Sequence, residues 1–157
     1  MEVIFTKGDG RYGKLCCVRQ DASRTETQMP EQGIAPHDMI HYVVEKTLAI
    51  SGAFYGQLKA GANISFTLEH NQLSRQIADK TQVWQTESMV EALQSLYWSQ
   101  DLNFDGFCYL LAQGCEQRRL EVPKVSEHEF KQMIAEITEL TRQWQALTPG
   151  QSMSLFF

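Results

Sequence analysis

The chain has 157 residues, 43% hydrophobic and 21% charged, a balance that supports a packed core and excludes wholesale disorder. Its 14 Lys and Arg oppose 19 Asp and Glu, a net charge of −5, which excludes the broad basic footprint that duplex nucleic acid requires. No apolar run approaches the roughly 20 residues that cross a bilayer, and Met1-Glu2-Val3-Ile4-Phe5-Thr6-Lys7 lacks the start of a secretory signal; the expectation is one cytoplasmic domain that binds neither membrane nor nucleic acid.

In chain order, strands are predicted over Glu2–Thr6 and 14–20. They flank a loop whose glycines Gly8, Gly10 and Gly13 permit a hairpin. Val3 and Phe5 alternate along the first strand and Leu15 and Cys17 along the second, which suits one buried face of an antiparallel pair. A third, polar strand over 24–29 is expected at a sheet edge. After a loop over 30–35, Pro36 suits a helix start because it lacks an amide hydrogen, and Ile40, Val43, Val44, Thr47 and Leu48 form the apolar stripe of a helix over 36–50. A short helix over 53–60 follows. Residues 62–80 predict a loop with one or two turns, in which Leu73 and Ile77 share helical spacing.

A helix over 86–99 is built on Met89, Val90, Leu93 and Leu96, and a short one over 107–113. Ser126-Glu127-His128-Glu129 matches a capping box, in which serine and glutamate each satisfy an otherwise unpaired amide. The helix it opens carries Phe130, Ile134, Ile137 and Trp144 inward and stops at Thr148-Pro149-Gly150. Residues 151–157 return as a strand. The fold class is therefore α+β: a small antiparallel sheet of amino-terminal strands plus the carboxy-terminal strand, packed against a helical layer. An exposed strand edge is compatible with a homodimer.

Four cysteines, Cys16, Cys17, Cys108 and Cys115, have no metal or redox spacing and read as buried free thiols. Trp84, Trp98 and Trp144 read as core anchors. Asp101-Leu102-Asn103-Phe104-Asp105-Gly106 copies half of a calcium loop, but its twelfth position is Ala112 instead of a bidentate glutamate, so a helix-capping turn is expected.

The chemistry concentrates in His37-Asp38-Met39-Ile40-His41. Two imidazoles four residues apart stack on one side of a helix, and Glu45 continues the row. Neutral imidazole nitrogens and a carboxylate can converge on one divalent ion, so His37, His41 and Glu45 are candidate ligands for zinc or another divalent metal, and Asp38 and Glu45 are candidate catalytic carboxylates. Glu45 could serve as a ligand or behind a ligand, and Asp38 as a base or as an orienter of His37. Glu69, His70, Glu91 and His128 are further ligand candidates. Phe54-Tyr55 and the helix carrying Glu87 and Glu91 are candidate walls of the cleft. The alternative is an interaction or regulatory module without catalysis: Asp38 favours the helix dipole, and His41 with Glu45 makes an ordinary i,i+4 pair.

The histidine pair resembles the H-E-x-x-H signature of zinc metalloproteases, with Asp38 standing one methylene short of the glutamate that acts there as base. More broadly, Pro36-His37-Asp38-Met39-Ile40-His41-Tyr42-Val43-Val44-Glu45, followed by Gly52-Ala53-Phe54-Tyr55-Gly56, resembles a group of small uncharacterised bacterial proteins. In them a P-H-D helix with H-Y-x-V-E precedes a G-F-Y-G-like element, hairpin strands come first, and a strand follows a P-G turn. The resemblance implies this architecture and directs attention to His37, Asp38, His41 and Glu45. It implies no reaction.

Overall fold

A computed structural model describes residues 1–31, 33–65 and 72–157. Strands β1 (Glu2–Thr6), β2 (Tyr12–Val18), β3 (Arg24–Pro30) and β4 (Ser152–Phe156) form one antiparallel sheet in the order β3-β2-β1-β4. The register places Val3 opposite Cys17 and Leu155, and Phe5 opposite Leu15 and Met153. Because side chains alternate across a strand, this aligns Val3, Phe5, Leu15, Cys17 and Met29, each wholly buried, on one face. The polar strand β3 lies at an edge, as its sequence predicts, and β4 forms the other edge.

The helical layer comprises α1 (His37–Thr47), α2 (Phe54–Lys59), α3 (Gln72–Ile77), α4 (Lys80–Ser99), α5 (Phe104–Gln117) and α6 (Glu127–Ala146). Helix α1 occupies its centre, touching α2, α4 and α6. The capping box of α6 is complete, and Phe130, Ile137 and Trp144 are buried while Ile134 is only partly so. Helices α4 and α5 both begin earlier than their apolar stripes indicate. The Asp79 carboxylate accepts the amides of Thr81 and Gln82, and the Asn103 side chain accepts that of Gly106; each cap supports a first turn that periodicity alone does not register. Asn103 thus serves the capping turn expected in place of a calcium loop. Leu73 and Ile77 do lie on a helix turn, α3, but both are exposed.

Two expectations about burial need correction. Trp144 is a core anchor, whereas Trp84 and Trp98 are 51% and 62% exposed. At about 100° per residue, Trp84 lies half a turn away from the core residue Leu93, nine positions on. Of the cysteines, Cys16, Cys17 and Cys115 are buried and Cys108 is exposed; all four are free thiols. Burial, with Cys16 adding to it, pushes the Cys17 thiol up to about 12, so it is no nucleophile at neutral pH. Among the described residues, no helix is long and apolar enough to cross a membrane.

Candidate metal centre

Helix α1 starts directly after Pro36, whose carbonyl accepts the amides of Met39 and Ile40 at 2.9 and 3.2 Å. One helical turn then stacks His37 on His41, with ring centroids 4.7 Å apart and planes tilted by 59°. Met39, Ile40, Val43 and Val44 are completely buried. They draw the adjoining polar row inward, so that His41 and Glu45 are buried and His37, at the start of the helix, is half-buried.

Helix α4 brings a carboxylate to both rings. His37 Nε2 is 3.2 Å from Glu87 Oε1, and His41 Nε2 is 3.1 Å from Glu87 Oε2. One ligand atom from each of the three residues lies within 4.8 Å of the other two, the one such grouping of three or more among the described residues. The spacing is informative. Charge-assisted N–H···O hydrogen bonds settle at about 2.7–2.9 Å. Tetrahedral ligands on bonds of about 2.0–2.1 Å stand about 3.3 Å apart. The Glu87 contacts, at 3.2 and 3.1 Å, lie between the two figures, at the long end of the ordinary N–H···O range.

No family model, curated protein or solved structure matches this chain. The chemistry of the cleft rests on its own geometry.

Glu45 lies behind His41, away from the atoms that converge. Its Oε1 is 3.5 Å from His41 Nδ1, an ion-pair distance without a formed hydrogen bond, and its Oε2 accepts the amides of Tyr55 at 2.9 Å and Gly56 at 3.4 Å. Gly56 is required there: a Cβ would stand 2.0 Å from the Ser51 carbonyl oxygen. The G-A-F-Y-G segment thus turns the chain tightly enough to aim two backbone donors at Glu45, and Glu45 in turn faces the imidazole nitrogen opposite the one directed at Glu87. A carboxylate behind one nitrogen, with the other nitrogen directed at a second donor group, here Glu87, is the arrangement that orients metal-binding imidazoles.

Asp38 lines the same cleft. Burial raises its carboxyl above the ordinary range, against the opposing pull of His37 and His41. The Tyr55 hydroxyl donates to its main-chain oxygen at 2.7 Å, fixing this turn of α1. Burial also disfavours charge on His41, but the Glu45 carboxylate facing one nitrogen and Glu87 hydrogen-bonded to the other outweigh it and push the imidazole up to about 9. Hydrogen bonds from His37 and His41 hold the Glu87 carboxyl far below its usual range. Burial drives Glu45 the other way, upward.

The structure therefore brings His37, Asp38 and His41 to one cleft, sets Glu45 behind it, and adds Glu87. Phe54 is a wall, as its position predicts, with its ring 5.9 Å from that of His41. Glu91, one turn beyond Glu87, pairs instead with Arg118 at 2.8 Å. His128 is exposed on α6, and Glu69 and His70 lie outside the described residues. A signal for Glu87 does exist in the sequence: Val83, Glu87, Val90 and Gln94 fall in one helical row beside the core stripe, and a carboxylate interrupting such a row has to meet something polar.

Proposed function

We propose that this protein holds zinc or another divalent metal between α1 and α4 and uses it in hydrolysis. The ligands are the Nε2 atoms of His37 and His41 and the carboxylate of Glu87. Glu45 fixes the orientation of His41, and Asp38, lining the same cleft with a carboxyl raised by burial, accepts a proton there. A divalent ion would supply Lewis acidity, lowering the pKa of water and polarising a carbonyl. The observation that carries this reading is the convergence of three ligand atoms from two helices within 4.8 Å, in a partly sheltered recess. Two histidines and a glutamate form a donor set suited to zinc and leave a fourth position for water or substrate.

Elemental analysis of untagged protein tests the binding half. One equivalent of metal is expected in the wild type, with loss in His37→Ala, His41→Ala and Glu87→Ala. Equal, substoichiometric metal in all four samples would reduce the cluster to a structural hydrogen-bond network and support the non-catalytic alternative. The hydrolytic half is tested by metal-dependent cleavage of p-nitrophenyl esters, which Asp38→Asn is expected to abolish while retaining the metal; absence of metal-dependent cleavage in the wild type overturns it.

A further inference from the structure

The cleft extends beyond the metal ligands as a cavity of about 520 Å³, within the range of small-molecule sites. Its two ends differ. The end formed by α1 carries His37, Asp38 and His41, whereas the walls leading away from it are mostly apolar, Ala53, Phe54, Ala78, Val83 and Trp84, with Gln57 and Lys80 as the polar residues among them. Another recess, of about 530 Å³, lies between Arg19 and Lys59, but the Arg19 guanidinium is already committed to the carbonyls of Leu58 and Ala62.

The exposed indole of Trp84 is held in place. The Arg118 guanidinium lies 5.7 Å from its ring centre, and Arg118 is itself anchored to Glu91 at 2.8 Å and to Ser88 Oγ at 3.3 Å. A half-exposed tryptophan braced from behind, on the rim of an apolar recess, is a preformed surface for a flat or chain-like apolar group. On the far side, Phe54 is fixed by an edge contact with Tyr55, with ring centres 4.9 Å apart.

We infer that the ligand of this site is a small amphipathic molecule whose oxygen-donor head meets the metal and whose aliphatic or aromatic body lies between Phe54 and Trp84. This deepens the metal reading above and rests on it. The separation of polar and mostly apolar walls sets the orientation: reversed, the apolar body would desolvate Asp38 and the polar head would meet Phe54 and Trp84 without a partner. An acyl ester or amide with a medium-length chain is the substrate class that fits both ends.

Hydroxamic acids chelate divalent metals through two oxygens and come with bodies of different length, so they separate the head from the body. Calorimetric titration of zinc-loaded protein with acetohydroxamic and octanohydroxamic acid is expected to show at least tenfold tighter binding of the longer probe. Trp84→Ala, checked by thermal melting and zinc stoichiometry, is expected to remove most of that preference while leaving acetohydroxamic acid binding unchanged. Zinc uptake with equal affinity for both probes overturns this inference and leaves the metal site intact. A length preference that survives Trp84→Ala overturns the assigned wall. Failure to take up zinc, cobalt, nickel or manganese overturns the metal reading, and this inference with it.

Discussion

Helices α6 and α1 lie side by side and solve opposite problems. Helix α6 satisfies the local rules: a complete capping box, a regular apolar stripe, and charges such as Glu139 with Arg142 and Lys131 with Glu127 paired on the solvent side. Helix α1 has no side-chain cap and buries an imidazole and a carboxylate within its own packing face. A sequence optimised only for stability would not place His41 and Glu45 there, because buried ionisable groups cost more in lost hydration than an apolar pair of similar volume. The contrast teaches that local consistency in α6 marks scaffold, and its breach in α1 marks the site.

The strongest way to break the contrast is to remove the carboxylate that makes α1 unusual. Glu45→Ala leaves the buried Tyr55 and Gly56 amides without their acceptor and His41 Nδ1 without its facing carboxylate. The expected loss is roughly 3–5 kcal/mol of unfolding free energy by urea denaturation, whereas an equal loss in the surface variant Glu139→Gln would erase the distinction between the helices.

Acidity sharpens it next. In the metal-free protein the folded-state value of His41 is raised from 6.5 to about 9. The stability this contributes is fully present below pH 6.5 and is lost as pH rises through about 9. Melting temperature without metal is therefore expected to fall across that window in the wild type and to fall less in His41→Gln. Metal binding runs the other way, because the ion displaces the His41 proton, so zinc affinity is expected to rise with pH over the same window.

Smaller effects belong to α6. Ser126→Ala removes one half of the capping box and is expected to cost about 1 kcal/mol, with metal content unchanged. Glu139→Gln, on a fully exposed pair, is expected to leave the melting temperature within error.

Much of this was legible in the sequence because it is local. Alternation places Val3, Phe5, Leu15 and Cys17 on one face, and Ser126 with Glu129 announces α6. Helix spacing stacks His37 on His41, and the return of β4 beside β1 follows from its apolar row of Met153 and Leu155. What stayed hidden is not local. Glu87 meets the histidines only because α4 packs on α1, 46 residues beyond His41, and no periodicity in either helix encodes which turn faces which. Glu45 extends the histidine row along the chain, yet its carboxylate is turned to the far side of the ring by the amides of Tyr55 and Gly56. That is a consequence of the tight approach at Gly56 rather than of spacing within α1. The exposed Trp84 likewise follows from its position opposite Leu93, which outweighs the general tendency of tryptophan to pack inside.

One arrangement within the cluster bears on how the molecule is held together. Both imidazoles, the supporting Glu45 and the amides behind it come from one short stretch, residues 37–56, and only Glu87 arrives from a distant segment. An ion seated among them would therefore act as a removable rivet across the packed seam of two helices that lie far apart along the chain. Chelation would release the first turns of α4 without dissolving the half-site on α1, and faster amide exchange confined to residues near Glu87 would be its signature.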